Sequence, residues 1–274
     1  MTIRFTKMVA AGNDMILVDH RNQALAGRES EAARSACARH DGIGADGLIL
    51  LEQDPEVDFR VRFFNPDGTE YRLCGNGARC IPYFAESVGL GPGPFRFRTG
   101  SGLHTARTVE AGVAAVTVPG IRELRTDIPV QLDGHACRVD WGDIGVPHAV
   151  LWMDRPVVEV PLLLWGPQLR GAPAFAPEGT NISFARKIAR DTLEIRTYER
   201  GVEAETTCGS GSCVVAMLAR RRGWVGEEVT LIVSGGEALI VQLPAAPGGE
   251  LVLTGPAVAV HEGSFGFPPR NLKG

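Results

Sequence analysis

The chain has 274 residues, 44% of them hydrophobic and 22% charged, with a net charge of −4. That length suits two ordinary domains or one large one, with ample core. The acidic balance leaves no basic surplus to neutralise phosphates, which argues against a nucleic-acid partner. No apolar run is long enough to span a bilayer and no targeting segment is visible, so no membrane partner and a cytoplasmic location are expected.

Taken in order, residues 2–8 and 15–20 read as strands joined by a turn at Ala11-Gly12-Asn13-Asp14, and 29–39 as an Ala-rich helix. A glycine-rich loop, Gly42-Ile43-Gly44-Ala45-Asp46-Gly47, feeds a strand at 48–53, and 57–65 alternates as another before the turn Pro66-Asp67-Gly68. A helix is predicted over 78–88, with Gly89 ending it, then short strands at 95–99, 103–109 and 112–119. A composition shift across 119–130 is read as an inter-domain crossing. Strands at 135–141 and 148–153, a helix at 160–169, strands at 180–185 and 193–199, and a helix at 211–222 follow. Strands at 229–233, 238–243 and 251–260 complete the pattern. The fold class is therefore α+β: two strand-rich domains, each wrapped round one helix, with a cleft between them. The boundaries are 1–119 and 120–261, with about 262–274 as a segment that could pack back on the first domain.

Both domains contain a cysteine followed by Gly-x-Gly at the start of a helix: Cys74-Gly75-Asn76-Gly77 and Cys208-Gly209-Ser210-Gly211. A thiol there meets unsatisfied backbone N–H groups and the positive end of a helix dipole, conditions that lower its pKa. Four uses compete. Metal binding is disfavoured by the gaps from Cys74 to Cys80 and Cys208 to Cys213, since structural zinc sites prefer tighter pairs. Thiol–disulfide exchange is disfavoured because neither stretch has the Cys-x-x-Cys arrangement. A structural role suits Cys37, Cys80, Cys137 and Cys213, because most cysteines without special surroundings are small core hydrophobes. It explains Cys74 and Cys208 less well, since a core cysteine has no need of the glycines. The fourth use is paired acid–base chemistry, one thiol on each face of a tetrahedral carbon. Such a pair inverts a stereocentre, with the amides of Gly75-Asn76 and Gly209-Ser210 holding the substrate carboxylate.

The motif order resembles the diaminopimelate epimerase family of cofactor-independent amino-acid racemases. The matching pieces are Gly12-Asn13-Asp14, the 42–47 loop, Phe64-Asn65-Pro66-Asp67-Gly68-Thr69-Glu70, the 74–80 stretch, Pro147-His148, Asn181-Ile182-Ser183-Phe184, Tyr198-Glu199-Arg200-Gly201 and Cys208-Gly209-Ser210-Gly211. The resemblance implies two pseudo-symmetric, barrel-like domains with the active site in the inter-domain cleft, no cofactor, no metal, and a homodimer. It implies epimerisation of LL-2,6-diaminopimelate to the meso form by a thiol/thiolate pair, Cys74 and Cys208. It also implies that His148 and Glu199 tune the thiols, and that Asn13, Asn65, Gly75, Asn76, Asn181, Glu199, Arg200, Gly209 and Ser210 bind the amino-acid substrate. Arg200 suits a distal carboxylate, because its planar fork can make two hydrogen bonds to it.

Three departures stand out. The family's usual Gly-Asn-Pro-His is Gly145-Val146-Pro147-His148 here, and valine cannot replace the asparagine's hydrogen bond to the substrate's far end. Gly47 stands where many members carry a substrate-contacting glutamine, and Val9-Ala10 where a His-Gly pair is common. A lost polar contact of this kind costs on the order of 1–3 kcal/mol if its partner stays buried and unpaired. Gly47 and Val146 are thus the positions that bear on substrate choice. A same-fold racemase of another amino acid, such as histidine or glutamate, is the nearest alternative, and a non-catalytic amino-acid-binding module is the alternative of another class.

Overall fold

A computed structural model describes residues 1–199, 204–246 and 248–267. The chain divides into two compact units, Met1–Val116 with the segment from Pro256 onward, and Thr117–Gly255. In the first run of chain lie β1 (Thr2–Ala10), β2 (Asn13–Asp19), α1 (Glu29–Cys37), β3 (Gly47–Glu52), β4 (Phe59–Phe64), β5 (Glu70–Tyr71), α2 (Gly75–Ser87), β6 (Phe95–Thr99), β7 (Gly102–Glu110) and β8 (Val113–Val118). The second unit follows with β9 (Glu123–Leu132), β10 (His135–Asp143), β11 (Pro147–Trp152), α3 (Leu162–Arg170), β12 (Asn181–Ala189), β13 (Thr192–Glu199), β14 (Ala204–Thr206), α4 (Gly209–Arg221), β15 (Glu228–Ile232), β16 (Ala238–Gln242) and β17 (Leu251–Pro256). The last strand, β18 (Val258–Gly266), returns to the first unit.

The two units repeat one pairing plan. In the first, β1–β2 is antiparallel, β2–β3 parallel, β3–β4 and β4–β5 antiparallel, and β4–β6 parallel, with β6–β7–β8 closing as antiparallel neighbours. In the second, β10–β11, β11–β12, β12–β13, β13–β14, β13–β15 and β15–β16–β17 follow the same sequence of orientations. The parallel steps need long crossovers, and α1, α2, α3 and α4 lie within them. Outer neighbours correspond too: β9 pairs antiparallel with β10, and β18 runs antiparallel along β1, from Thr2 opposite Gly266 to Val9 opposite Val258. The fold is α+β, with each unit a curled sheet carrying one buried helix.

Burial explains the local choices. β3 is a continuous apolar run because both its faces are covered. Leu48 and Leu50 join Ile16, Val18 and the Ala32, Ala33, Ala36 and Cys37 face of α1 in one core cluster. Ile49 faces α2 instead, close to Gly77. In the second unit Trp141, Ala149, Ile182, Phe184 and Tyr198 pack with Leu162 and Leu169 of α3. α4 buries Val214, Val215 and Leu218 against β10, β11, β12, β15 and β16. Among the described residues, no helix is long and apolar enough to cross a membrane.

Four sequence expectations are corrected here. The 119–130 stretch contains most of β9, which looks like a linker because it alternates exposed and half-buried positions and carries Pro129 and a left-handed Asp127 (φ 59°). The single strand expected over 251–260 is two, broken at Ala257, whose N–H is taken by the Gly112 carbonyl at 2.9 Å. Helices α2 and α4 begin at Gly75 and Gly209, earlier than glycine's poor helix propensity suggests, because the extended Cys74 and Cys208 stand at their N-cap positions and their carbonyls accept the first helical N–H bonds, from Ala78 and Ser212. Helix α1 ends at Cys37, where Ala38 turns extended (ψ 122°).

Candidate active site

Each unit presents its Cys-Gly-x-Gly cysteine as the N-cap of its buried helix, and the two caps differ. Cys74 has extended backbone (φ −121°, ψ 118°), so its Sγ accepts the Gly77 N–H at 3.4 Å and its carbonyl accepts the Ala78 N–H at 2.8 Å. The thiol thus stands at the positive end of α2 with an amide directed at it, an arrangement that favours the thiolate. Gly77 is dictated by packing: a Cβ there would stand 2.9 Å from Ile49 Cδ1 and 3.3 Å from Phe63 Cε1.

Behind Cys74 lies a chain of amide and charge contacts. Buried Asn76 donates Nδ2 to Asn13 Oδ1 at 2.5 Å, and Asn13 donates Nδ2 to Asp46 Oδ2 at 3.2 Å. On the other side of Asn76, the fully buried Arg79 donates Nη2 to Asn76 Oδ1 at 3.0 Å, Nη1 to the Gly75 carbonyl at 3.3 Å and Nε to the Pro256 carbonyl at 3.4 Å. Asp46 is held in turn by Arg39, and its N–H donates to Asp14 Oδ1 at 2.9 Å. Burial works to raise the Asp14 pKa, but hydrogen bonds from Lys7 and Arg39 outweigh it and hold the carboxyl below its ordinary range. The structure therefore brings Cys74, Gly75, Asn76 and Asn13 together. Asp46 and Arg79, which fix Asn13 and Asn76, were present in the quoted motifs without an assigned part.

Asn65 serves its own turn: Nδ2 donates to Thr69 Oγ1 at 2.9 Å, and its backbone bonds Thr69 and Gly68. Gly47 is buried at the start of β3. A Cβ there would meet the Phe64 carbonyl oxygen at 2.9 Å, Met15 Sδ at 3.1 Å and Tyr71 Oη at 3.4 Å. A larger side chain at 47 would be blocked first by the Phe64 backbone carbonyl.

In the second unit Cys208, 8% exposed, caps α4 with φ −110° and ψ 109°. No backbone N–H caps its sulfur; Sγ lies 3.2 Å from Ser210 Oγ. Ser210 Oγ is 3.0 Å from Nε2 of the fully buried His148, and Asn181 Nδ2 reaches the same nitrogen at 3.5 Å. The parallel register explains this grouping, since His148 on β11 stands directly beside Asn181 on β12. The unit thus gathers Cys208, Gly209, Ser210, His148 and Asn181.

Glu199, at the end of β13, accepts from Thr206 Oγ1 at 2.7 Å, and burial raises its carboxyl pKa despite that bond. Val146 is half-buried in the β10–β11 turn, directly before Pro147 and His148. Arg200 lies outside the described residues. Burial pushes the Cys37 and Cys80 thiols up to about 12, which suits core packing. Among the described residues, no three His, Cys, Asp or Glu side chains converge as a metal site.

The fold is shared with solved structures of a phenazine biosynthesis protein of the PhzF family from Bacillus anthracis (TM-score 0.72, 16% identity, covering 97% of this chain and 100% of that one) and a probable proline racemase from Agrobacterium radiobacter K84 (TM-score 0.71, 15% identity, 98% and 94%). At those identities the likeness defines the architecture alone. The sequence is more specific: the diaminopimelate epimerase family model matches residues 5–119 and 141–260. Diaminopimelate epimerases from Chlorobaculum tepidum (37% identity, 94% of this chain and 99% of the relative) and Aquifex aeolicus (34%, 95% and 97%) align over almost their whole lengths. The chain belongs to the diaminopimelate epimerase family.

Proposed function

We propose that this chain is an isomerase that epimerises LL-2,6-diaminopimelate to meso-diaminopimelate without a cofactor, in lysine and peptidoglycan precursor biosynthesis. The observation that carries this reading is the family match across both units, with a helix-capping cysteine inside each matched segment. Cys74 as thiolate takes the α-proton and Cys208 as thiol delivers one to the opposite face; the reverse reaction exchanges the roles. The carbanion that forms is stabilised by backbone N–H groups at the helix starts, Gly75-Asn76 and Gly209-Ser210, which hold the α-carboxylate. Asn13, Asn65, Asn181 and Arg200 hold the rest of the substrate, and His148 and Glu199 tune the thiols and the reacting amine. The same reading makes the protein a cytoplasmic homodimer.

The test is α-proton exchange in heavy water, with purified protein, no added cofactor and a panel of amino acids that includes diaminopimelate, histidine and glutamate. Exchange with diaminopimelate alone supports the proposal. Val146, with no polar group for the far end of the substrate, favours including the others, and preference for one of them would replace the substrate while keeping the chemistry. No exchange with any amino acid would leave the non-catalytic binding module.

A further inference from the structure

The two cysteines are served differently, and the difference points to a part for the Ser210 side chain. Cys74 takes a backbone N–H, whereas the Cys208 sulfur lies 3.2 Å from a hydroxyl, and the same hydroxyl contacts a buried imidazole. We propose that Ser210 Oγ is the positioning group through which His148 sets the proton affinity of Cys208, separately from any use of the Ser210 N–H. This rests on the two-thiol reading of the site.

The polarity of the chain follows from its members. Asn181 Nδ2 is a donor, so its approach to His148 Nε2 at 3.5 Å leaves that nitrogen as the acceptor. The Ser210 O–H then donates to Nε2 at 3.0 Å, and Oγ accepts the Cys208 S–H at 3.2 Å. One concerted shift reverses it. The S–H bond breaks and its proton joins Oγ, while the original hydroxyl proton passes to Nε2. A thiolate, a neutral hydroxyl and an imidazolium remain, with one proton moved and none gained or lost. In both states the Ser210 hydroxyl makes two hydrogen bonds, so the shift leaves that hydroxyl satisfied.

The ring is held for this task. It is fully buried, and Gly211 leaves room for it: a Cβ there would be 3.3 Å from Nδ1 and Cε1. Many charged groups on the surrounding strands are engaged elsewhere. On β10, Asp140 accepts from Arg222 and Trp152, and Asp143 from the Gly145 N–H. On β12, Arg186 pairs with Glu194 of β13, and Lys187 bonds the Trp224 carbonyl. Arg196 of β13 pairs with Glu205 of β14, and Glu199 accepts from Thr206. On β15, Glu228 accepts from Gln242 of β16. Arg220, Arg221 and Arg222 lie at the opposite end of α4, beside or after its last turn. His148 is the titratable group connected to Cys208 through Ser210.

The test reads the thiol directly and needs no substrate. Iodoacetamide alkylation of the full-length protein is followed against pH, with Cys208 and Cys74 resolved by peptide mass spectrometry. In Ser210→Ala the Cys208 midpoint should rise by about one pH unit, a tenfold loss of thiolate at fixed pH, while Cys74 is unmoved. Ser210→Thr, which keeps the hydroxyl and controls for folding, should restore the midpoint. His148→Asn should shift Cys208 in the parent but add nothing in the Ser210→Ala background. An unmoved midpoint in Ser210→Ala, or full additivity with His148→Asn, would overturn the proposal. If the shifts appear and no amino acid exchanges its α-proton, the functional reading fails while this link stands.

Discussion

Gly211 lies beside His148 at the start of α4, so close that a Cβ built on it would stand 3.3 Å from the imidazole Nδ1 and Cε1. Adding a single methyl at 211 would crowd the ring and Ser183 Oγ, both 3.3 Å from the new carbon. Gly211→Ala is expected to destabilise the fold by about 1–3 kcal/mol, the usual cost of overpacking. By displacing the ring it should lower turnover by about tenfold to a hundredfold. Thermal melts and steady-state rates on the same preparation check both numbers.

Cys74→Ala and Cys208→Ala should each abolish epimerisation, because a two-base reaction fails when either base is missing. Cys74→Ala should cost little stability, since its thiol is half-buried at a helix start, whereas Cys208→Ala removes a buried side chain and should cost more. Cys80→Ala is the control. It removes a fully buried side chain whose thiol is pushed up to about 12, so it should cost stability and leave the chemistry intact. A Cys74→Ala enzyme that turned over at the parent rate would sink the mechanism.

Asn76 has a structural debt to Arg79. Its Oδ1 accepts from a guanidinium with no solvent exposure, so Asn76→Ala removes an acceptor from a buried charge. The expected loss is about 1.5–3 kcal/mol, the range for hydrogen bonds to charged groups. It should appear as a lowered urea midpoint with an unchanged slope. Asn13→Ala should cost less, because Asn13 is only partly buried, but should weaken substrate binding by freeing the Asn76 amide.

Two carboxyls predict opposite pH behaviour. Burial works to raise the Asp140 pKa, but Arg222, Trp152 and the Asp127 N–H outweigh it and hold the carboxyl below its ordinary range. A depressed pKa means stability that is present above the unfolded value and lost as pH falls through the folded one. Asp140→Asn should therefore cost about 2 kcal/mol or more at neutral pH, and the deficit should shrink as the solution is acidified.

Glu199 has the reverse sign: burial raises it, so the native state holds its proton longer than the unfolded chain. Stability then declines as pH rises from the ordinary glutamate range through the raised value. Glu199→Gln should flatten that decline while impairing catalysis. Denaturant melts across the pH range separate the two carboxyls.

The sequence made the strands, the buried helices and the repeated cysteine turns legible because each rests on local signals: alternation, glycine and caps. Residues 119–130 misled because β9 is half exposed and carries Pro129, so its burial signal is weak although its ladder with β10 is regular. The glycines after Cys74 and Cys208 look unneeded by a core cysteine, but Gly77 and Gly211 answer to Ile49, Phe63 and His148, packing partners that only the fold supplies. The same holds for the Asn13 bond to Asp46 and for the Ser210 hydroxyl between Cys208 and His148. Each partner was visible as a residue type in a motif. Their connection depends on strand register, which spacing alone does not reveal.

The pairing of β18 with β1 carries a consequence for biosynthesis. The second unit is one continuous stretch, whereas the sheet of the first is completed by a strand translated after all of it. On the ribosome, the half that carries Cys208 can mature while β1 still shows an unpaired edge to solvent and chaperones. The half that carries Cys74 finishes later, so a stop codon or frameshift near position 256 would leave Cys208 in a finished unit and Cys74 in one lacking its outer strand.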